Sequence, residues 1–130
     1  MIESFHHVCI ETDRYCESLE FYCGLLGFKI LHETQGFHGR EYNTWLKLND
    51  CSIELQTPKL STGILKNKDS GLGIKHICFL VKDLCIMVEE LKIQGFRDFK
   101  EKDGEIVYRV EDSDLCKLIA PEGSIIELRE

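Results

Sequence analysis

The feature that most constrains the fold of this chain is an internal repeat. The stretches FHHVCIETDRYCESLEFYCGLLGF, residues 5–28, and IKHICFLVKDLCIMVEELKIQGF, residues 74–96, share a histidine, an alternating apolar run, an aspartate, a helical stretch and a final Gly-Phe. Each half also ends in a similar strand, CSIELQ at 51–56 and GSIIELRE at 123–130, with a glutamate between apolar residues. A repeat of this kind indicates two copies of one structural unit.

Within each copy the pattern predicts a strand, a helix and three further strands, which is a βαβββ module in the α+β class. We place module one at about 1–57, a linker at 58–72 and module two at about 73–130, within one domain. Asp13 and Asp83 are the predicted N-caps of the two helices. Apolar residues at spacings of three and four predict the buried helix faces, which are Leu19, Tyr22 and Leu26 in module one and Leu84, Val88 and Leu91 in module two.

Composition excludes several classes of function. The 130 residues carry 16 Lys plus Arg against 23 Asp plus Glu, a formal net charge of −7, so no basic surface for nucleic acid is expected. The sequence has no long apolar run, and its start, MIESFHHVCIET, lacks the features of a signal peptide. We therefore expect a soluble, cytoplasmic protein without a membrane partner.

Seven cysteines are many for this length, but their number is odd and they are scattered through predicted strands and helices. This distribution favours reduced cysteines that serve as small core residues over a disulfide framework.

Alternation along the strands places one histidine and one glutamate of each module on the same face of its sheet. Successive strand residues point to opposite faces of a sheet, so the apolar residues that pack under each helix leave the other face to the remaining ones. His7 and Glu54 share that second face in module one, and His76 and Glu127 share it in module two.

Two histidines and two glutamates in equivalent places form a donor set suited to a divalent transition metal, namely zinc, nickel, cobalt, iron or manganese. One alternative is a Cys2His2 site built from the repeated His-x-Cys motif, in which Cys9 and Cys78 join the two histidines. The other is that the four residues serve no metal and are simply satisfied on a polar face.

The same stretches resemble the vicinal oxygen chelate superfamily, which contains glyoxalase I, methylmalonyl-CoA epimerase, extradiol dioxygenases and bleomycin and fosfomycin resistance proteins. The resemblance spans nearly the whole chain, from HHVCIETDRYCESLEFYCGLLGF through SIELQTP and GIKHICFLVKDL to APEGSIIEL. It implies two βαβββ modules that form a half-open barrel around a metal site. It also implies that the metal ligands are His7, Glu54, His76 and Glu127.

The resemblance implies a lyase or isomerase, similar to glyoxalase I or to an epimerase. Such an enzyme removes a proton beside a metal-bound carbonyl of a small carbonyl or thioester substrate and passes through an enediolate, with Glu127 as the first choice of base and Glu54 as the second. It further implies a homodimer. Glu11 and Pro58 stand where bacterial glyoxalase I has its glutathione-binding arginine and asparagine, which argues against glutathione. The alternative function is a binding or resistance protein of the same fold without turnover.

A few other residues carry weaker expectations. His6 is expected to be a partly buried structural residue, Trp45 a core residue, and His38 with Arg40 part of a loop that faces solvent or closes over the site. Lysines of the linker could meet a phosphate-bearing substrate, although an ordinary solvated linker is expected; they are Lys59, Lys66 and Lys68.

Overall fold

The structure, a computed structural model, describes residues 1–62 and 72–130 and divides the chain into two compact units, Met1–Lys68 and Asp69–Glu130. The centre of the predicted linker, with Lys66 and Lys68, lies outside the described residues. The first unit contains β1 (Val8–Glu11), α1 (Tyr15–Leu19), a π-helical turn (Glu20–Leu25), β2 (Lys29–Gln35), a 3-10 turn (Phe37–Gly39), β3 (Tyr42–Leu48) and β4 (Cys51–Gln56). The second contains β5 (Ile77–Leu80), α2 (Leu84–Ile93), β6 (Tyr108–Val110), β7 (Ser113–Ile119) and β8 (Ile125–Arg129).

Each unit has one mixed sheet of four strands, and the two sheets have the same topology. The strand orders are β1-β4-β3-β2 and β5-β8-β7-β6, with the first and last strands of each unit parallel and the other neighbours antiparallel. The ladder between β2 and β3 shifts register between Ile30 and His32. The prediction of two βαβββ modules is therefore confirmed.

The core of the first unit follows the predicted alternation. Ile53 and Leu55 of β4 are fully buried, and Ile10 of β1 is 6% exposed, while the intervening residues of both strands are more open to solvent. Aromatic residues from the helical segment fill the rest of this core, where Tyr22 contacts the rings of Phe21 and Phe28 edge-on.

The first helix differs from the prediction. After five residues it widens into the π-helical turn, in which the amide of Leu26 donates to the carbonyl of Phe21 at 3.1 Å. The wider turn rotates the residues that follow it about the axis. Ser18, Phe21 and Tyr22 are buried, whereas Leu19 and Leu26 are half-buried. Of the three residues predicted to form the buried face of this helix, Tyr22 alone is fully buried.

The predicted N-cap at Asp13 is wrong. The helix begins two residues later, Arg14 occupies the N-cap position, and no side chain caps it. Thr12 takes part of the expected role, because its buried hydroxyl accepts from the amide of Arg14 at 3.0 Å and bonds the hydroxyl of Ser18 at 2.7 Å.

The second helix agrees with the prediction. Asp83 is its N-cap, and the carboxylate accepts from the amide of Ile86 at 2.9 Å. Leu84, Val88 and Leu91 are all buried. On the core side of the sheet Cys116, Leu118, Ile126 and Leu128 are buried, and Leu115 and Glu127 are buried as well.

The contrast between the two aspartates gives a stability prediction. Asp83→Ala is expected to lower the free energy of unfolding by about 1 kcal/mol, because one amide of the first turn loses its acceptor. Asp13→Ala is the matched control and should change it by less than about 0.5 kcal/mol. Urea unfolding followed by circular dichroism measures both, and an equal loss in the two variants would contradict the assigned cap.

The cysteines are all free, but most of them are not core residues. Cys116 is fully buried, whereas Cys9, Cys16, Cys78 and Cys85 are exposed. The expectation of small core cysteines is therefore wrong for these four. Within the described residues, none of the helices combines the length and the apolar character that crossing a membrane requires.

Candidate metal centre

The first unit brings two of the four predicted ligands together. β1 and β4 are parallel, with Cys9 opposite Glu54, and His7 immediately precedes β1. Nε2 of His7 lies 3.4 Å from Oε2 of Glu54, and the two side chains are 32% and 16% exposed. The pair is thus partly withdrawn from water but remains reachable.

The second unit repeats this arrangement with the other two predicted ligands. Cys78 of β5 lies opposite Glu127 of β8, and His76 immediately precedes β5. Nε2 of His76 lies 3.6 Å from Oε2 of Glu127. The side chain of Glu127 is 8% exposed, so this carboxylate is more deeply placed than Glu54.

The separation of the donors in each pair suits a shared metal ion. Imidazole nitrogen and carboxylate oxygen bind such ions at about 2.1 Å, so two of them at octahedral or tetrahedral angles lie roughly 3.0–3.4 Å apart. The observed 3.4 Å and 3.6 Å are close to these values. Each pair can therefore supply two ligands to one ion with little rearrangement.

The structure does not test the complete four-ligand site. Within residues 1–62 and 72–130 no cluster of three or more His, Cys, Asp or Glu side chains is placed to hold a metal. Each pair lies in its own unit, so the combination of His7, Glu54, His76 and Glu127 in one centre stays a prediction.

Trp45 and His6 contact the ring of His7, and the burial of both differs from the expectation. Trp45 is half-buried rather than in the core, and its ring contacts His7 edge-on with centroids 4.9 Å apart. His6 is exposed rather than partly buried, and its Nδ1 lies 2.8 Å from Nδ1 of His7. A bond at Nδ1 orients the ring so that Nε2 faces Glu54, as second partners of metal-binding histidines do.

Glu127 has three close neighbours besides His76, of which sequence reasoning missed Lys117. The thiol of Cys78 donates to Oε1 at 3.5 Å, Nζ of Lys117 lies 3.5 Å from Oε2, and Nε of Arg129 lies 3.9 Å from Oε1. Lys117 is directly opposite Glu127 in the β7–β8 ladder. The alternation along β8 already indicated that Arg129 shares the face of Glu127, but the register that brings Lys117 there depends on the length of the turn before β8.

The cysteines beside the two glutamates have raised pKa values. Partial burial, together with the negative charge of Glu54, raises the pKa of Cys9 to about 11. Partial burial and the hydrogen bond to Glu127 likewise raise the pKa of Cys78. In the metal-free protein both thiols are therefore protonated at neutral pH, and the Cys2His2 alternative would require a bound metal to displace their protons.

The raised pKa of Cys9 predicts slow alkylation. Its thiolate fraction at pH 8 should be about 100-fold below that of a thiol with the ordinary pKa of 9.0, and the rate with iodoacetamide should fall accordingly. Peptide mass spectrometry over a time course measures this rate. Glu54→Gln should speed the reaction, because it removes the negative charge beside the sulfur; labelling of wild-type Cys9 as fast as free cysteine would contradict the prediction.

Glu11, one of the two positions that differ from glyoxalase I, is held in an ion pair with Arg40. Nη1 of Arg40 lies 2.6 Å from Oε2 of Glu11 and also donates to the carbonyl of Thr57 at 2.6 Å. Arg40 thus ties β1 to the end of β4, while His38 beside it is exposed. Glu11 already has a cationic partner, and Pro58 has no side-chain donor, so neither offers the contact expected for glutathione.

Comparison with protein families identifies the relatives of this chain. A family model described as the glyoxalase/bleomycin resistance protein/dioxygenase superfamily matches residues 4–114, which is most of the chain. No curated protein matches significantly.

Solved structures share the fold over nearly the full length. A glyoxalase family protein from Enterococcus faecalis is 24% identical with a TM-score of 0.78, covering 98% of each chain. A lactoylglutathione lyase from Agrobacterium tumefaciens is 15% identical with a TM-score of 0.71, covering 99% of this chain and 94% of its own. The fosfomycin resistance protein FosX from Listeria monocytogenes, complexed with Mn(II) and sulfate, is 12% identical with a TM-score of 0.71, covering 99% and 93%.

Proposed function

Because the chain belongs to the glyoxalase/bleomycin resistance protein/dioxygenase superfamily, we propose that it is a divalent-metal-dependent lyase or isomerase. The proposed ligands are His7 and Glu54 of the first unit and His76 and Glu127 of the second. The observation that carries the proposal is the repeated His–Glu pair, with donor separations of 3.4 Å and 3.6 Å. A chance arrangement of polar residues would not be expected to place a histidine and a glutamate at equivalent positions of both sheets.

The reaction assigned to these residues is the transfer of a proton beside a carbonyl group. A divalent ion bound there supplies a Lewis acid that favours negative charge on the carbonyl oxygen. Glu127 takes the proton from the neighbouring carbon and returns it, either to the adjacent carbon in an isomerisation or to the same carbon in an epimerisation. Glu54 is the second choice for this base.

The surroundings of Glu127 support this assignment. Its side chain is 8% exposed, against 16% for Glu54, so water competes less for its oxygens. The Cys78 thiol holds one oxygen, Oε1, while Oε2 faces His76. A carboxylate held in this way keeps its orientation while a proton moves to and from it.

The substrate class follows from the proposed chemistry and the family. We propose a small carbonyl compound or a thioester, without glutathione as cosubstrate, since Glu11 and Pro58 offer no anchor for it. A homodimer in the cytoplasm is part of the same proposal. The seven free cysteines support the reducing compartment.

Metal content is the first test of this function. Protein purified without a histidine tag should contain about one divalent ion per chain by mass spectrometry, and His76→Ala should lower it at least tenfold because a ligand is lost. His32→Ala is the matched control, since this exposed histidine lies in β2 and bonds Thr34 at 3.0 Å.

The outcome separates the two candidate functions. Metal uptake should be followed by turnover with methylglyoxal plus thiols or with CoA thioesters. If neither the purified protein nor the protein titrated with nickel, cobalt, zinc and manganese binds an ion, the enzyme mechanism is wrong and a binding protein of this fold is the better description.

A further inference from the structure

The two His–Glu pairs are alike, but their surroundings differ in charge. In the second unit Lys117 lies opposite Glu127 and Arg129 lies two residues beyond it. The equivalent positions around Glu54 hold Trp45, opposite it in the β3–β4 ladder, and Gln56. The two halves therefore share the proposed ligands but differ at two neighbouring positions, which are neutral around Glu54 and cationic around Glu127.

Neutralisation of Glu127 does not explain both cations. The carboxylate carries one negative charge, whereas Lys117 and Arg129 together carry two positive charges. In the first unit His7 lies beside Glu54, and no lysine or arginine among the described residues pairs with it. A glutamate at this position of the fold can thus exist without such cations.

The nitrogen atoms that Lys117 and Arg129 direct at Glu127 do not form short hydrogen bonds with it. Nζ of Lys117 and Nε of Arg129 lie 3.5 Å and 3.9 Å from Glu127, longer than the roughly 2.8 Å of a charge-assisted hydrogen bond. Nε of Arg129 is buried and has no hydrogen-bond partner within the described residues. A buried donor without a partner costs free energy, so Arg129 gains little from the present position of its Nε.

We propose that Lys117 and Arg129 bind a carboxylate of the substrate, so that the substrate of this protein is a small oxo acid. The inference rests on the proposed function and names the substrate class for the same site. Both side chains are mostly covered, with exposures of 25% and 31%, which strengthens their attraction for an anion. The expected contacts are a charge-assisted hydrogen bond from Nζ of Lys117 and one from the guanidinium of Arg129.

The distances set the size of the substrate. A carboxylate oxygen at about 2.8 Å from Nζ of Lys117 lies within roughly 6 Å of the Glu127 oxygen, since that oxygen is 3.5 Å from Nζ. The carboxylate must then be on the same small fragment as the carbon that loses its proton. A charge at the far end of a long carrier would not reach both groups.

Binding to the metal-free protein tests this inference separately from turnover. Pyruvate and its neutral analogue pyruvamide are titrated at low ionic strength into protein treated with a chelator, and amide shifts are followed by NMR. The wild type should bind pyruvate about tenfold more tightly, because only pyruvate carries the charge. Lys117→Gln should reduce this preference at least threefold, and the double variant with Arg129→Gln should remove it.

Two further variants serve as controls. Lys117→Arg keeps the charge and should keep the preference. Lys92→Gln removes a lysine of α2 that pairs with Glu89 at 2.8 Å, and it should leave the preference unchanged although the net charge falls equally. If the double variant does not fold, the wild type and the single variants decide the result.

Three results would overturn the inference. They are equal binding of pyruvate and pyruvamide by the wild type, an equal loss of preference in Lys117→Gln and Lys92→Gln, and tighter binding of inorganic phosphate than of pyruvate, which would assign the cations to a phosphate. Failure of the metal test leaves this measurement intact, because no metal is present in it. The two proposals can therefore fail independently.

Discussion

Replacing Glu127 by Gln is expected to lower the rate of proton exchange by at least about 100-fold, because the amide cannot accept the proton that a general base removes. The readout is the exchange of the substrate proton next to the carbonyl with solvent deuterium, followed by NMR at saturating metal. Glutamine has nearly the same shape, so the packing around this position should be kept.

Glu54→Gln is the matched variant for this prediction. It removes the same charge from the equivalent position of the first unit, and at saturating metal it should cost less in exchange rate than Glu127→Gln. A larger loss in Glu54→Gln would assign the base to Glu54. Equal small losses in both variants would mean that neither carboxylate takes the proton.

The second large effect is expected in the core of the second unit. Leu91→Ala should lower the free energy of unfolding by about 3 kcal/mol, because this fully buried side chain of α2 leaves a cavity when it is shortened. Urea unfolding measures the change.

The control lies two residues further along the same helix. Ile93 is 83% exposed, and Ile93→Ala should change the free energy of unfolding by less than about 0.5 kcal/mol. A similar loss in both variants would contradict the packing of α2.

The alternation of residues along the strands was the sequence pattern that predicted most about which side chains are buried. It has a period of two residues, so one correctly placed apolar pair determines the facing of the whole strand. The pairs Ile53 with Leu55 and Ile126 with Leu128 are buried as expected. The same alternation placed each histidine on the face of the glutamate of its own module, and in the structure Nε2 of each histidine lies 3.4 Å or 3.6 Å from that glutamate.

The first helix shows what sequence could not predict. Its π-helical turn changes the helical period, and the apolar stripe that a regular period predicts at Leu19 and Leu26 therefore misses the buried face. EFYCGL contains no local signal for such a turn, in which Phe21 and Tyr22 are the buried residues. Asp13 has the right chemistry for a cap, but the chain enters the helix later.

Lys117 was missed for a different reason. Its neighbour across the ladder depends on the register of β7 with β8, and register is determined by the intervening turn. This turn spans residues 120–124, and in it the amide of Gly123 donates to the carbonyl of Ala120 at 2.8 Å. The pairing of two particular residues across it could not be read from either strand alone.

The register shift in β2 bears on how the protein avoids aggregation. β2 is the last strand of its sheet, and two of its apolar residues, Ile30 and Leu31, are 51% and 64% exposed. A flat apolar strand in this position is a template on which other chains can add strands. The irregularity between Ile30 and His32 bends the strand where it is most apolar and leaves the regular part to the polar run from His32 to Gln35. The regularly paired part of this edge is thus hydrophilic, which makes it a poor template for foreign strands.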